Sequence, residues 1–161
     1  GVLEDSGLFA RKVLEAGQDR LVASPAYLEA RGAPHDLAGL DQHDCLVFSH
    51  AGERTTWRLC GPDGADAEVQ VAGRFSANTT QALRKACLGG LGIALLPATL
   101  TRRELRAGLL VPVLPQYFRA GHGVHLVYPS RRHLAPAVAL FIELLVDKMS
   151  TLAELPGSPS A

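Results

Sequence analysis

The stretch Asn78-Thr79-Thr80-Gln81-Ala82-Leu83-Arg84-Lys85-Ala86-Cys87-Leu88-Gly89-Gly90-Leu91-Gly92-Ile93-Ala94-Leu95-Leu96-Pro97 decides the fold. Ala82, Leu83, Ala86 and Cys87 fall on one helical stripe, Asn78 is placed to cap the helix, and Gly89-Gly90 ends it. Ile93 to Leu96 is then an unbroken apolar run closed by Pro97, as expected of a strand covered on both faces. The glycines follow a helix and precede a strand, the reverse of a dinucleotide-binding loop, so they predict a tight corner rather than a nucleotide site.

Downstream, a second helix through Leu100, Glu104 and Leu105 ends at Gly108, and Leu110 to Leu114 predicts a strand that Pro112 confines to an edge. Val124 to Tyr128 is another strand. Pro136 starts the longest helix, with Val138, Phe141, Ile142, Leu145 and Met149 at helical spacing, and the tail Pro156-Gly157-Ser158-Pro159-Ser160 is expected to be mobile. Upstream, Leu21-Val22-Ala23 is a short strand ended by Ser24-Pro25, where Ser caps a short helix that Gly32 and Pro34 stop. Cys45 to Phe48 and Thr56 to Leu59 predict strands, and Glu68 to Phe75 alternates with Val69, Val71 and Phe75 on one face. Strands and helices taken in turn predict an α/β layered domain.

The 161 residues suit one compact domain, and 16 Lys+Arg against 16 Asp+Glu give a net charge of +0, which excludes a basic nucleic-acid module. Hydrophobic residues at 47% and charged residues at 20% support a packed core. Cys45, Cys60 and Cys87 are odd in number and scattered, which predicts core thiols in a reducing cytoplasm rather than a disulfide framework. No apolar run is long enough for a membrane span, no signal peptide is visible, and the absence of an initiator Met suggests a processed or engineered fragment. No nucleophile with a base, paired carboxylates or phosphate loop is present, so neither an enzyme nor a cofactor is expected. Cys45 between His43 and His50 matches no standard ligand spacing, so no metal is expected either. Cys87, near Arg84 and Lys85, and Cys60 could form a redox switch, but core residues are the plainer expectation. Arg131-Arg132-His133 predicts a solvated basic turn.

Four pieces in order, Ala23-Ser24-Pro25-Ala26-Tyr27-Leu28, His43-Asp44-Cys45-Leu46, Gly89 to Pro97, and Val127-Tyr128-Pro129-Ser130-Arg131-Arg132-His133-Leu134, resemble the effector-sensing region of LysR-type transcriptional regulators. The resemblance implies a type II periplasmic-binding-protein-like α/β fold, with two lobes joined by two crossing strands and a small ligand held between them. It also implies that the second lobe is complete with remnants of the first: residues 1–20 as a first-lobe remnant, 21–123 as the second effector-binding lobe, 124–150 as the return crossover and first-lobe helix, and 151–161 as a flexible tail. Leu21 to Ala23 and Val124 to Val127 would be the crossovers.

At the start of the helix, Asn78, Thr79 and Thr80 offer free backbone N–H groups and hydroxyls to an anion, with simple capping as the plain alternative. The resemblance places that helix start at the ligand cleft, with Ser24 nearby at the lobe hinge and Phe48 as a pocket wall or plain core. The implied function is sensing of a small effector, a carboxylate in the first place, by a bacterial regulator that meets DNA through an N-terminal helix-turn-helix outside this chain. A homo-oligomer without membrane contact is expected, and a stand-alone small-molecule binding protein is the alternative. The apolar stripe of the last helix is expected to drive self-association of this chain, with a monomer in which the helix folds back on the second lobe as the alternative.

Overall fold

In a computed structural model the described residues are 9–14, 17–48, 55–121, 123–128 and 135–154. In chain order they form β1 (Phe9–Leu14), β2 (Gln18–Ala23), α1 (Pro25–Arg31), a 3-10 turn (Ala38–Gln42), β3 (Cys45–Phe48), β4 (Thr55–Cys60), β5 (Asp66–Val71), β6 (Ser76–Ala77), α2 (Thr80–Leu88), β7 (Ile93–Pro97), α3 (Ala98–Arg106), β8 (Val111–Pro112), β9 (Phe118–Ala120), β10 (Val124–Tyr128) and α4 (Pro136–Glu154). The chain divides into two compact units, one from Gln18 to Gly121 and one holding the segments on either side of it.

The unit Gln18–Gly121 is built on a sheet in the order β5-β4-β9-β2-β7-β3-β6, with β8 also pairing with β2. Among the described residues, only β3, β6 and β7 run parallel to one another. β2 runs antiparallel to β7, with Asp19 opposite Pro97 and Val22 opposite Ala94. Because side chains alternate along a strand, the apolar runs of β2, β3 and β7 feed two cores. Leu21, Ala23, Cys45, Val47, Ile93 and Leu95 enter one, with Tyr27, Leu40, Trp57, Leu59 and Val71. Val22, Leu46, Ala94 and Leu96 enter the other, under Leu83, Ala86 and Cys87 of α2. Truncating a side chain as enclosed as Ile93 or Leu96 to Ala would cost about 2–5 kcal/mol.

Glycines fix the entry to β3. A Cβ at Gly92 would lie 2.0 Å from the carbonyl oxygen of Asp44, and one at Gly73 2.1 Å from that of Cys45, so no other residue fits on either side of the strand's start. Gly90 serves differently: at φ +77° it reverses the chain after α2, letting Leu91 N–H reach Ala86 O at 3.1 Å.

Several elements depart from expectation. The strand expected over Glu68 to Phe75 ends at Val71; Val71 and Val69 pack on the first core but Phe75 packs on the second, because the chain turns at Gly73. Leu110 to Leu114 forms a strand only at Val111 and Pro112; Pro112 sits opposite Val22, and the neighbouring Val113 N–H donates to Leu21 O at 2.8 Å, so the proline removes no bond to β2. Leu21 to Ala23 lie in β2, which pairs with β7 within the core sheet of the larger unit.

The second unit pairs β1 antiparallel to β10, Phe9 opposite Tyr128 and Leu126 opposite Arg11, and α4 packs against β1. α4 runs to Glu154, beyond the expected start of the tail, and Pro156 to Ser160 lie outside the described residues, as does Arg131-Arg132-His133. On α4, Ile142 is buried, whereas Val138, Leu140, Phe141 and Leu144 are 43–68% exposed. Among the described residues no helix is long and apolar enough to cross a membrane.

Candidate functional site

Parallel strands end together, and the carboxyl edge of such a sheet is where loops converge on a ligand. Here β3, β6 and β7 end at Phe48, Ala77 and Pro97, and antiparallel β2 begins beside them at Gln18. Phe48 stands opposite Ala77 in register, so Asn78, Thr79 and Thr80 leave the sheet directly beside it. Phe48 is 54% exposed, a poor position for a core residue and a suitable one for a wall. Ser49 to Arg54, which follow it, lie outside the described residues.

The helix start differs by one residue from the sequence expectation. Thr79, not Asn78, caps α2: its backbone is extended, and its Oγ1 accepts from Ala82 N–H at 3.3 Å. That bond uses the third amide of the first turn. The amides of Thr80 and Gln81 stay at the open end of the helix, where the dipole is positive. Thr80 Oγ1 bonds Gln81 Oε1 at 3.2 Å, and Asn78 is exposed.

Ser24 does not join this group. It follows the carboxyl end of β2, and because β2 is antiparallel to β7 that end lies at the amino edge of β3 and β7. The four or five strand residues between the two edges span about 13–16 Å at ~3.3 Å each. Buried there, Ser24 accepts from Tyr27 N–H at 3.3 Å and caps α1. The expectation that it lies near Asn78 therefore fails on strand direction alone.

The amino edge carries a feature that the sequence did not suggest. α1, Asp44, Arg74, Phe75 and the Gly89–Leu91 turn line an open groove with a cavity volume of about 590 Å³. Tyr27 fastens its wall: the hydroxyl accepts from Asp44 N–H at 3.0 Å and lies 3.1 Å from His43 Nδ1, to which it donates when the imidazole proton is on Nε2. Burial raises the Tyr27 pKa and, with Arg31 adding to the effect, lowers that of His43. Arg74 grips Asp44 through Nε at 3.1 Å and Nη2 at 3.0 Å, and this hydrogen bonding holds the Asp44 carboxyl below the usual carboxylate range. Only the spacing of Ala26 with Ala30 and of Tyr27 with Arg31, one helical turn apart, could have pointed to this face; the Asp44–Arg74 pair spans 30 positions.

The thiols are free, with Cys45 and Cys87 buried and pushed up to about 12 by desolvation. Among the described residues no three His, Cys, Asp or Glu side chains gather closely enough to hold a metal, and His50 is not among them.

Residues 1–150 match the LysR substrate binding domain family. The chain is 33% identical over 150 residues to the HTH-type transcriptional regulator CrgA of Neisseria meningitidis, covering 92% of this chain and 49% of that protein. It is 37% identical over 149 residues to the HTH-type transcriptional regulator PtxR of Pseudomonas aeruginosa, covering 90% and 46%. The structure of the full-length Vibrio cholerae virulence activator AphB superposes at TM-score 0.78 and 32% identity, over 92% of this chain and 50% of that one. The CrgA regulatory domain superposes at TM-score 0.74 and 32% identity, over 92% and 72%. The chain thus spans about half the length of the curated relatives it matches.

Proposed function

The chain belongs to the LysR substrate-binding domain family, with its periplasmic-binding-protein-like fold, and from that membership we propose that it is the ligand-sensing part of a bacterial LysR-type transcriptional regulator. In this reading Gln18–Gly121 is the second effector lobe and the flanking unit belongs to the first. The relatives are named as helix-turn-helix regulators, which favours DNA contact through an N-terminal module over a stand-alone binding protein. The regulator is a cytoplasmic homo-oligomer and not an enzyme. Its effector acts by differential affinity for two states of the DNA-bound oligomer.

The effector is a small anion, a carboxylate in the first place, held at the start of α2 by the amides of Thr80 and Gln81 and the side chains of Asn78, Thr79 and Thr80, with Phe48 as the wall. The observation that carries this is the convergence of Phe48 and the α2 amino terminus on one carboxyl edge of the sheet. Ser24 is left to its cap.

A thermal-shift screen of metabolites, followed by titration of the best hit, tests the site, because a ligand that binds the folded state raises its apparent stability. Thr80→Val should weaken binding by about 1–2 kcal/mol while leaving the cap at Thr79 in place. Unchanged affinity in both Thr80→Val and Thr79→Ala removes the site assignment. The coding sequence upstream tests the regulator role: without a helix-turn-helix there, that role fails.

A further inference from the structure

We propose that the cavity at the amino edge of β3, β6 and β7 is a second ligand site, one that takes a small organic monoanion with an apolar end. Its charge balance selects the sign. Arg31 and Arg74 both line it, against the single carboxylate of Asp44. Arg74, whose side chain is 85% exposed, gives Nε and Nη2 to Asp44 and keeps Nη1 for a ligand. Arg31 gives Nη2 to Gln42 O at 3.2 Å, so its remaining N–H groups are available from the same wall. Two guanidiniums and one carboxylate leave one positive charge at the groove, and guanidinium geometry suits a carboxylate.

The remaining surface selects the body of the ligand. Ala26 and Ala30 make a shallow apolar strip on α1, and Phe75 and Leu91 face it as larger apolar groups. Leu91 is 46% exposed at this groove, so a ligand seated there would cover it. Gly89 and Gly90 leave the floor bare; a Cβ at Gly90 would come 3.6 Å from Ser24 Oγ. A volume of about 590 Å³ lies within the range of small-molecule sites. The walls are held in place before any ligand arrives, since the Tyr27 hydroxyl ties α1 to Asp44 and His43. The site lies within one unit and at the sheet edge opposite the α2 start, so it does not rest on the effector assignment above.

Titration of the 161-residue chain with phenylacetate, followed by amide chemical shifts, tests the proposal. The expected result is a saturable shift at the Gly89, Gly90 and Leu91 amides. Uncharged phenylacetamide should bind at least about tenfold more weakly, as should phenylacetate to Arg31→Gln, which loses a charge-assisted hydrogen bond. Ala30→Leu, an exposed substitution that fills the strip, should also weaken phenylacetate without altering the fold. Shifts confined to Thr79, Thr80 and Gln81, equal affinity for the amide, or unchanged affinity in both variants would each overturn the second site.

Discussion

Arg119 closes on the buried carboxylate of Asp19, with Nε at 2.9 Å and Nη2 at 2.5 Å from Oδ2, and so joins β9 to β2 across 100 positions of sequence. β2 and β9 are the strands by which the chain enters and leaves the larger unit, and their register sets Asp19 opposite Arg119. The pair is asymmetric, the aspartate enclosed and the arginine half open. Arg119→Ala should therefore cost about 1–3 kcal/mol, chiefly by leaving a buried carboxylate unpaired, with solvent screening keeping it below the cost of a fully enclosed pair. Asp19→Ala with Arg119→Ala should cost less than the sum of the single changes. Urea denaturation of the four proteins measures this, and strict additivity would show that the two groups do not interact.

Tyr27 and His43 give the larger unit a pH-dependent element. Burial lowers the His43 pKa below its ordinary value of 6.5, so the unfolded chain takes up the proton first as pH falls. The contribution is fully present above about pH 6.5 and is lost as pH falls through the folded value. Tyr27→Phe should remove about 1–2 kcal/mol at pH 7.5 through two lost hydrogen bonds. His43→Asn should flatten the fall in stability between pH 7.5 and 5. Denaturation midpoints at the two pH values, compared with those of the unsubstituted chain, check it; parallel slopes would rule out His43.

Cys45 and Cys87 should resist alkylation in the folded chain. Desolvation holds both thiols near 12, and the thiolate is the reactive form. Mass spectrometry after brief iodoacetamide treatment at pH 8 should find them unmodified, and modified once urea is added. Rapid native labelling of Cys87 would revive the redox switch.

The exposed apolar face of α4 should bring copies of this chain together. Leu140, Phe141 and Leu144 stand on one side of the helix with Val138 close by, and such a surface is rarely left in water. Light scattering should show a mass that rises with concentration, and Phe141→Glu with Leu144→Lys should lower it. A concentration-independent monomer mass would exclude the association.

Local chemistry carried much of the fold. Ser24 before Pro25, the stripe on α2, the Gly89-Gly90 stop and the apolar run of β7 each act through neighbours within a few residues, so they were legible in order along the chain. The quoted pieces also pointed to the family that the chain belongs to. Strand direction and register were not legible, because they depend on pairing between distant segments. They decided that Phe48 and the α2 start share one edge of the sheet while Ser24 sits at the other. They likewise brought Asp44 to Arg74 and Asp19 to Arg119, pairs with no local signature. A one-residue shift of the cap, from Asn78 to Thr79, was equally beyond sequence: both residue types can cap, and only the placement of the turn after β6 chooses between them.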